Sequence, residues 1–223
     1  MSLMLLNELI MASIETLYMV FVSTFCATML GLPLGTLLFC CSNIKPMRGL
    51  KYYISGIINF SRSIPFIILL VTLIPLTRLI VGTSLGVHAM LVPLTLGATP
   101  FIARLIDNVY QSLPTGLIET GFSLGANSWQ MIRYILIPEA LPGLIHASTV
   151  TAITLVNYSA MAGTIGGGGL GDFAIRYGYQ RFNGTLMLIT IMILVILVQL
   201  IQISGDKLAI YFAKNQKNIH NKH

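Results

Sequence analysis

Long apolar runs separated by short polar stretches set the pattern of this chain. Residues 17–41, 64–81, 87–106, 143–163 and 184–203 are each predominantly apolar. A helix needs about 20 such residues to cross the hydrocarbon core of a bilayer, so the pattern predicts five transmembrane helices. The first run is longer than required and is expected to tilt or to project beyond the bilayer. Ahead of it, Leu5, Leu6 and Leu9 lie on one side and Glu8 and Glu15 stand seven apart, which suits an interfacial helix or an extension of the first span. That leading segment has no basic residue before its apolar run and reads as a poor signal peptide, expected to be retained.

Between the third and fourth runs lies an amphipathic island, residues 115–138, with a different rhythm. Thr115, after Pro114, is placed to cap a short helix that carries Glu119 in its first turn and repeats Leu117, Ile118 and Phe122 at helical spacing. Gly125 is expected to end it. Asn127 with Gln130 three residues on is a capping-box start, and Trp129, Ile132 and Leu136 form one stripe of a second helix that Pro138 should stop. Two short helices hinged at a residue without Cβ make a knob that another backbone can approach closely. The alternative is an amphipathic pair lying on the lipid surface.

Composition excludes a soluble domain: 55% of the residues are hydrophobic and 9% charged, whereas soluble proteins carry about a quarter charged residues. The formal charge of +6 comes from basic residues placed singly between apolar runs, not gathered in a stripe, so no nucleic-acid partner is expected. Their distribution instead orients the chain. With the N-terminus outside, Lys45, Arg48, Lys51, Arg62, Arg104, Arg133, Lys207, Lys214, Lys217 and Lys222 fall on the cytoplasmic side, leaving Arg78, Arg176 and Arg181 outside. The island is then cytoplasmic, and so is the C-terminus.

Within the runs, Gly31 and Gly35 make a small-xxx-small pair for close helix packing, with Pro33 between them as a kink. Cys26, Cys40 and Cys41 lack disulfide or metal spacing and read as packing residues. Residues 42–63 read as a basic, aromatic loop, after which Pro65 opens the second span. Pro93, Gly97 and Pro100 interrupt the third span and place it inside the bundle. Arg104 and Asp107, three apart, are expected to pair within their helix.

The fourth run is the most polar, with His146, Ser148, Thr149, Thr151, Thr154, Asn157, Tyr158 and Ser159. Asn157, Tyr158, Ser159 and Met161 are candidates for a pore wall or outer gate; hydrogen bonding between helices of a dry bundle is the competing reading. Gly166, Gly168 and Gly171 spell G-x-G-x-x-G, but no strand precedes them, so they are read as close packing at Gly163 and Gly167 followed by a flexible turn. Residues 172–183, rich in Tyr and Arg, form an outer segment that could meet a delivering protein or the membrane interface. The fifth run faces lipid or a second subunit. The tail from Lys214, including His220 and His223, reads as disordered and not as a metal site.

No catalytic constellation emerges: His146 and Ser148, two apart, point to different sides of a helix, and the runs hold carboxylates only near their ends. Walker motifs are absent, so any ATP and Mg must be bound by another polypeptide. An ion-coupled secondary transporter would be expected to show ionisable residues at the midplane or a repeated half, and neither is seen. A non-transporting scaffold is a third class.

The stretch ETGFSLGANSWQMIRYILIP resembles the cytoplasmic loop of bacterial ABC importer permeases, E-A-A-x(3)-G-x(9)-I-x-L-P, with Glu119, Gly125, Ile135 and Pro138 in register. Thr120 and Gly121 replace the two alanines, and Ile137 replaces leucine. RSIPFIILL, VPLTLGATPFIAR, PTGLIE, LIPEALPGL and NYSAMAGTIGGGGLGD extend the resemblance, over nearly the whole chain, to methionine-uptake permeases. The resemblance implies an all-α membrane protein of the type I ABC importer permease fold, with residues 1–223 as one domain. It also implies a bacterial inner-membrane homodimer without enzymatic activity of its own. Two ABC ATPase subunits would bind ATP and Mg and dock on Glu119, Gly121, Gly125, Ile135 and Pro138, while an extracytoplasmic methionine-binding protein would deliver methionine, including its D form. A permease for another small amino acid or solute is the alternative.

Overall fold

The computed structural model describes residues 3–44 and 47–220, the last six of these by backbone alone. Among the described residues the secondary structure is helical. Helix α1 (Leu3–Asn43) is one unbroken rod of 41 residues, so the leading segment extends the first span and does not form a separate interfacial helix. The 42–63 stretch, expected as a loop, is helix α2 (Arg48–Ser63). Its polar and apolar residues alternate at helical spacing; Ile58 is buried with Leu38 and Ala103, while Tyr52, Tyr53 and Phe60 are exposed.

The second apolar run is not one helix. It folds as α3 (Phe66–Thr72) and α4 (Ile74–Val81), joined at Leu73, and α2 meets α3 at a bend of 99°. Pro65 and Pro75 lie at the starts of these pieces, where a missing N–H costs least. Among the described residues four helices are therefore long and apolar enough to span alone, and the bent α2–α3 pair has the length and composition of a fifth, broken span or of a re-entrant loop.

Helix α5 (Val87–Gln111) is the central helix, with Leu94, Ala98, Ile102 and Ala103 fully buried, Pro93 buried and Pro100 half-buried, so its interrupted backbone is set against protein. It runs beside α1 in the same direction: Tyr18 faces His88 at one end and Asn43 faces Gln111 at the other. Gly31 and Gly35 make this contact possible. A Cβ on Gly35 would sit 2.5 Å from the Ala103 carbonyl oxygen and 2.8 Å from Ile106 Cβ.

Arg104 and Asp107 form the expected pair, Nη1 to Oδ2 at 3.2 Å. The same guanidinium also donates to Ser55 Oγ at 2.7 Å and Asn59 Oδ1 at 2.9 Å, fastening α2 to α5. Breaking a buried pair leaves the other charge uncompensated, at a cost of about 3 kcal/mol. Arg104→Leu is therefore expected to lower the unfolding temperature in detergent, and Arg104→Leu combined with Asp107→Leu should recover part of the loss.

Helices α6 (Thr115–Ser123) and α7 (Ser128–Gln130) follow, then a π-helical turn, Met131–Leu136, that leads without a break into α8 (Ile137–Gly163). A short helix α9 (Gly169–Phe173) and a second π-helical turn, Ala174–Tyr179, form the hairpin that precedes α10 (Gly184–His220). Helix α10 continues through residues 214–220, which were expected to be disordered; extending an existing helix avoids the cost of nucleation. Side chains beyond Lys214, including Lys217 and His220, lie outside the described residues, as do Lys45, Lys222 and His223.

The glycine-rich hairpin is packed, not loose. Its helix α9 starts against α1, where Glu15 Oε2 accepts the Gly169 N–H at 2.8 Å and Thr16 Oγ1 accepts the Leu170 N–H at 2.8 Å. Gly163 and Gly171 bring α8 and α9 into backbone contact: a Cβ on Gly163 would lie 2.8 Å from Gly171 Cα, and one on Gly171 2.6 Å from Ala160 Cα.

Candidate docking knob and pore face

The island folds around two helix ends. Helix α6 closes in a Schellman motif: the Gly125 N–H donates to Phe122 O at 2.9 Å, the Ala126 N–H donates to Gly121 O at 3.1 Å, and Gly125 sits at φ +79°. A left-handed residue is needed there, and glycine supplies it without strain. Two residues on, Asn127 Oδ1 accepts the Gln130 N–H and Gln130 Oε1 accepts the Asn127 N–H, both at 2.9 Å, the reciprocal capping box expected from the spacing. Thr115 does not cap α6; it is the first helical residue, after Pro114, and Glu119 falls beyond the first turn.

Pro138 does not stop the second helix. Ser128–Gly163 is continuous over 36 residues, and the π-helical turn, in which Ile137 N–H donates to Ile132 O, widens the backbone just before the proline that has no N–H to give. The wider turn also resets the stripe. Met131 and Leu136, five apart, are the fully buried positions, and Trp129 points out at 66% exposure.

Gly121 is buried where α6 meets this turn, and a Cβ there would lie 2.8 Å from Ile135 Cδ1 and 3.0 Å from Met131 Sδ. Gly121 and Ile135 therefore hold the two halves of the knob together. Glu119, Gly125 and Pro138 lie on its surface. Between them the knob exposes Leu124 at 82%, along with Phe122, Trp129 and Tyr134. Trp129 was read as one stripe with Ile132 and Leu136, a constant period that the π-helical turn at Met131–Leu136 does not keep.

The four pore candidates do not converge. Ser159 is buried and donates to Val156 O at 2.8 Å. Tyr158 stacks flat on Phe66 with ring centroids 4.1 Å apart, beside a cavity of about 220 Å³ bordered by Arg62, Gly97 and Phe101. Asn157 and Met161 share one exposed face of α8 with His146, Met161 at 45% exposure. Ser148, Thr149, Thr151 and Thr154 donate to carbonyls four residues back in their own helix, so their one hydroxyl hydrogen is used within α8.

At the opposite end, Asp172 pairs with Arg176 at 2.7 Å, and that carboxylate's hydrogen bond raises the guanidinium pKa further above its ordinary value. The hairpin tip exposes Tyr179 and Phe182, the latter 93% exposed at φ +51°.

A bundle of apolar helices with an exposed two-helix knob at one end and a small hairpin at the other is the build of a membrane transport permease. Residues 27–209 match the family of binding-protein-dependent transport system inner membrane components, and the chain belongs to that family. Its fold is that of a type I ABC importer permease. The chain is 48% identical over 202 residues to the probable D-methionine transport system permease protein MetI of Vibrio cholerae, covering 90% of each. It is 54% identical over 151 residues to the D-methionine transport system permease protein MetI of Escherichia coli, covering 67% of this chain and 70% of that protein. Among solved structures it is similar to the MetNI methionine ABC transporter in inward-facing conformations, at TM-score 0.91 and 50% identity, covering 95% of this chain and 99% of that one.

Proposed function

We propose that this chain is the pore-forming subunit of an ATP-driven methionine importer that accepts the D form, working as a homodimer with two ATPase subunits that bind ATP and Mg. The observation that carries the mechanism is the unbroken helix from Ser128 to Gly163, which joins the exposed knob to the exposed face of α8. Its 36 residues make a lever about 54 Å long at 1.5 Å per residue. When the ATPases close, they would draw the two knobs together and swing α8 rigidly, exchanging an inward-open for an outward-open pore. Glu119, Gly125 and Pro138, with Phe122, Leu124 and Trp129, form the surface that seats in the ATPase, while Gly121 and Ile135 keep it rigid. Asn157 and Met161 face the path, and Tyr158 braces α3 against α8.

A binding protein on the outer side would meet Tyr179, Arg181 and Phe182. In this reading residues 1–223 act as one domain in the bacterial inner membrane, with the N-terminus outside and the C-terminus inside. A cysteine at Met4, in a chain lacking the native cysteines, should react with an impermeant reagent added outside intact cells, and one at Lys214 should not; the reverse pattern overturns the orientation. The function itself is tested in proteoliposomes holding the chain, its ATPase and the binding protein. Uptake of labelled methionine that requires both ATP and the binding protein is expected, and uptake driven by an ion gradient without ATP would overturn it.

A further inference from the structure

The seam between α8 and α10 has two faces of opposite chemistry. The helices run antiparallel, and Gly205 admits Thr149 so closely that a Cβ there would lie 2.8 Å from Thr149 Cβ. On one side of that contact, Leu141, Leu144, Leu197, Leu200, Ile201 and Leu208 help line an apolar groove shared with α1. On the other side, α10 carries Gln199, Gln202 and Asp206 at spacings of three and four, within an arc of about 60° at 100° per residue. Opposite them α8 presents Asn157 and His146, eleven residues apart and again on one face. Asn157 and Gln199 border the same cavity of about 260 Å³. Further along, His146 Nδ1 lies 3.7 Å from Asp206 Oδ1, with the two side chains 59% and 45% exposed.

Between these residues α10 carries Leu200, Ile201, Ile203, Ser204 and Gly205, so two amides on one face at the end of an apolar run need water or protein opposite them, and the carboxylate stands just beyond the run, next to Lys207. The carboxylate is also held in place: Gln202 Nε2 donates to both Asp206 oxygens at 2.8 Å. An anchored, half-open carboxylate beside an imidazole, at the end of a polar row, is built to receive a cation for a short time. A deep, dry site would bind too tightly for release.

We propose that the polar side of the α8–α10 seam is a hydrated exit track for the solute, and that Asp206, positioned by Gln202 and facing His146, takes the α-ammonium group of a zwitterionic amino acid as it leaves. The proposal rests on the import reading above. Its chemistry asks for a free ammonium group near a carboxylate and makes no demand on the solute's side chain. The apolar face of the same seam is left to lipid.

The test uses the whole transporter, with its ATPase and binding protein, in proteoliposomes. An ion pair this open to water is weak, so Asp206→Asn should lower methionine moved per ATP hydrolysed by about two- to fivefold. Stimulation of ATP hydrolysis by the binding protein should stay unchanged, and Asp206→Glu should restore most of the transport. In a chain lacking native cysteines, Gln202→Cys should react with a charged thiosulfonate from the ATPase side and be slowed by methionine, whereas Leu208→Cys should not react. Wild-type transport per ATP in Asp206→Asn overturns the ammonium site. Equal loss of assembly in both Asp206 variants overturns it too, since Asp206 is then structural. If the wild-type complex moves no methionine, the import reading fails, and the cysteine pattern still decides the hydrated track: equal reactivity at Gln202 and Leu208 refutes it.

Discussion

Gly125→Arg is expected to cut ATP-driven uptake by more than tenfold while leaving the chain folded and inserted. A side chain at φ +79° costs about 1–2 kcal/mol, too little to unfold the knob, and no atom lies within 4 Å of where its Cβ would go. The damage therefore falls on whatever approaches the bend from outside. A bulky cation at the centre of a closely seated surface would remove at least about 1.4 kcal/mol of docking, a factor of ten. Gly125→Asn separates the two effects, because asparagine tolerates the left-handed region and adds little bulk. Its ATPase stimulation and transport should stay near wild type. Full coupling in the arginine variant would show that nothing seats at Gly125.

Gly163→Ala and Gly171→Ala are expected to be the most damaging single substitutions to stability. Each Cβ would meet backbone on the other side of the α8–α9 contact, Gly171 Cα and Ala160 Cα, and backbone cannot move aside as a flexible side chain can. Overpacking of this kind costs about 1–3 kcal/mol, and more where both sides are rigid. The two variants should lose several degrees or more of unfolding temperature in detergent. Gly184→Ala, with nothing within 4 Å of its Cβ, should change it little. Equal stability of all three variants would mean that the hairpin does not depend on this close approach.

The four long helices, and the place of the knob between α5 and α8, follow from apolar run length, because lipid imposes a length on any helix that spans it. The capping box at Asn127 and the glycine stop at Gly125 were legible for a different reason: each is a local hydrogen-bond solution written in two or three residues. The errors share a cause as well. The second run hid a break at Leu73 because apolarity continues across it; Pro75, at the start of α4, was the signal that run length alone passes over. The stripe through Trp129 assumed a constant period, which the π-helical turn before Pro138 does not keep. Asp206 and Gln202 went unnoticed because α10 reads as apolar on average, and the average conceals that its polar residues share one face.

The account turns on the knob being where the ATPase acts. Photo-reactive amino acids placed at Leu124 and Trp129, with a control at Leu188 on the exposed apolar face of α10, test this in membranes containing the ATPase partner. The account predicts a covalent link from the first two positions to the ATPase, lost in Gly125→Arg, and none from Leu188. Links from Leu124 and Trp129 to lipid alone, with the ATPase present and hydrolysing ATP, would contradict it.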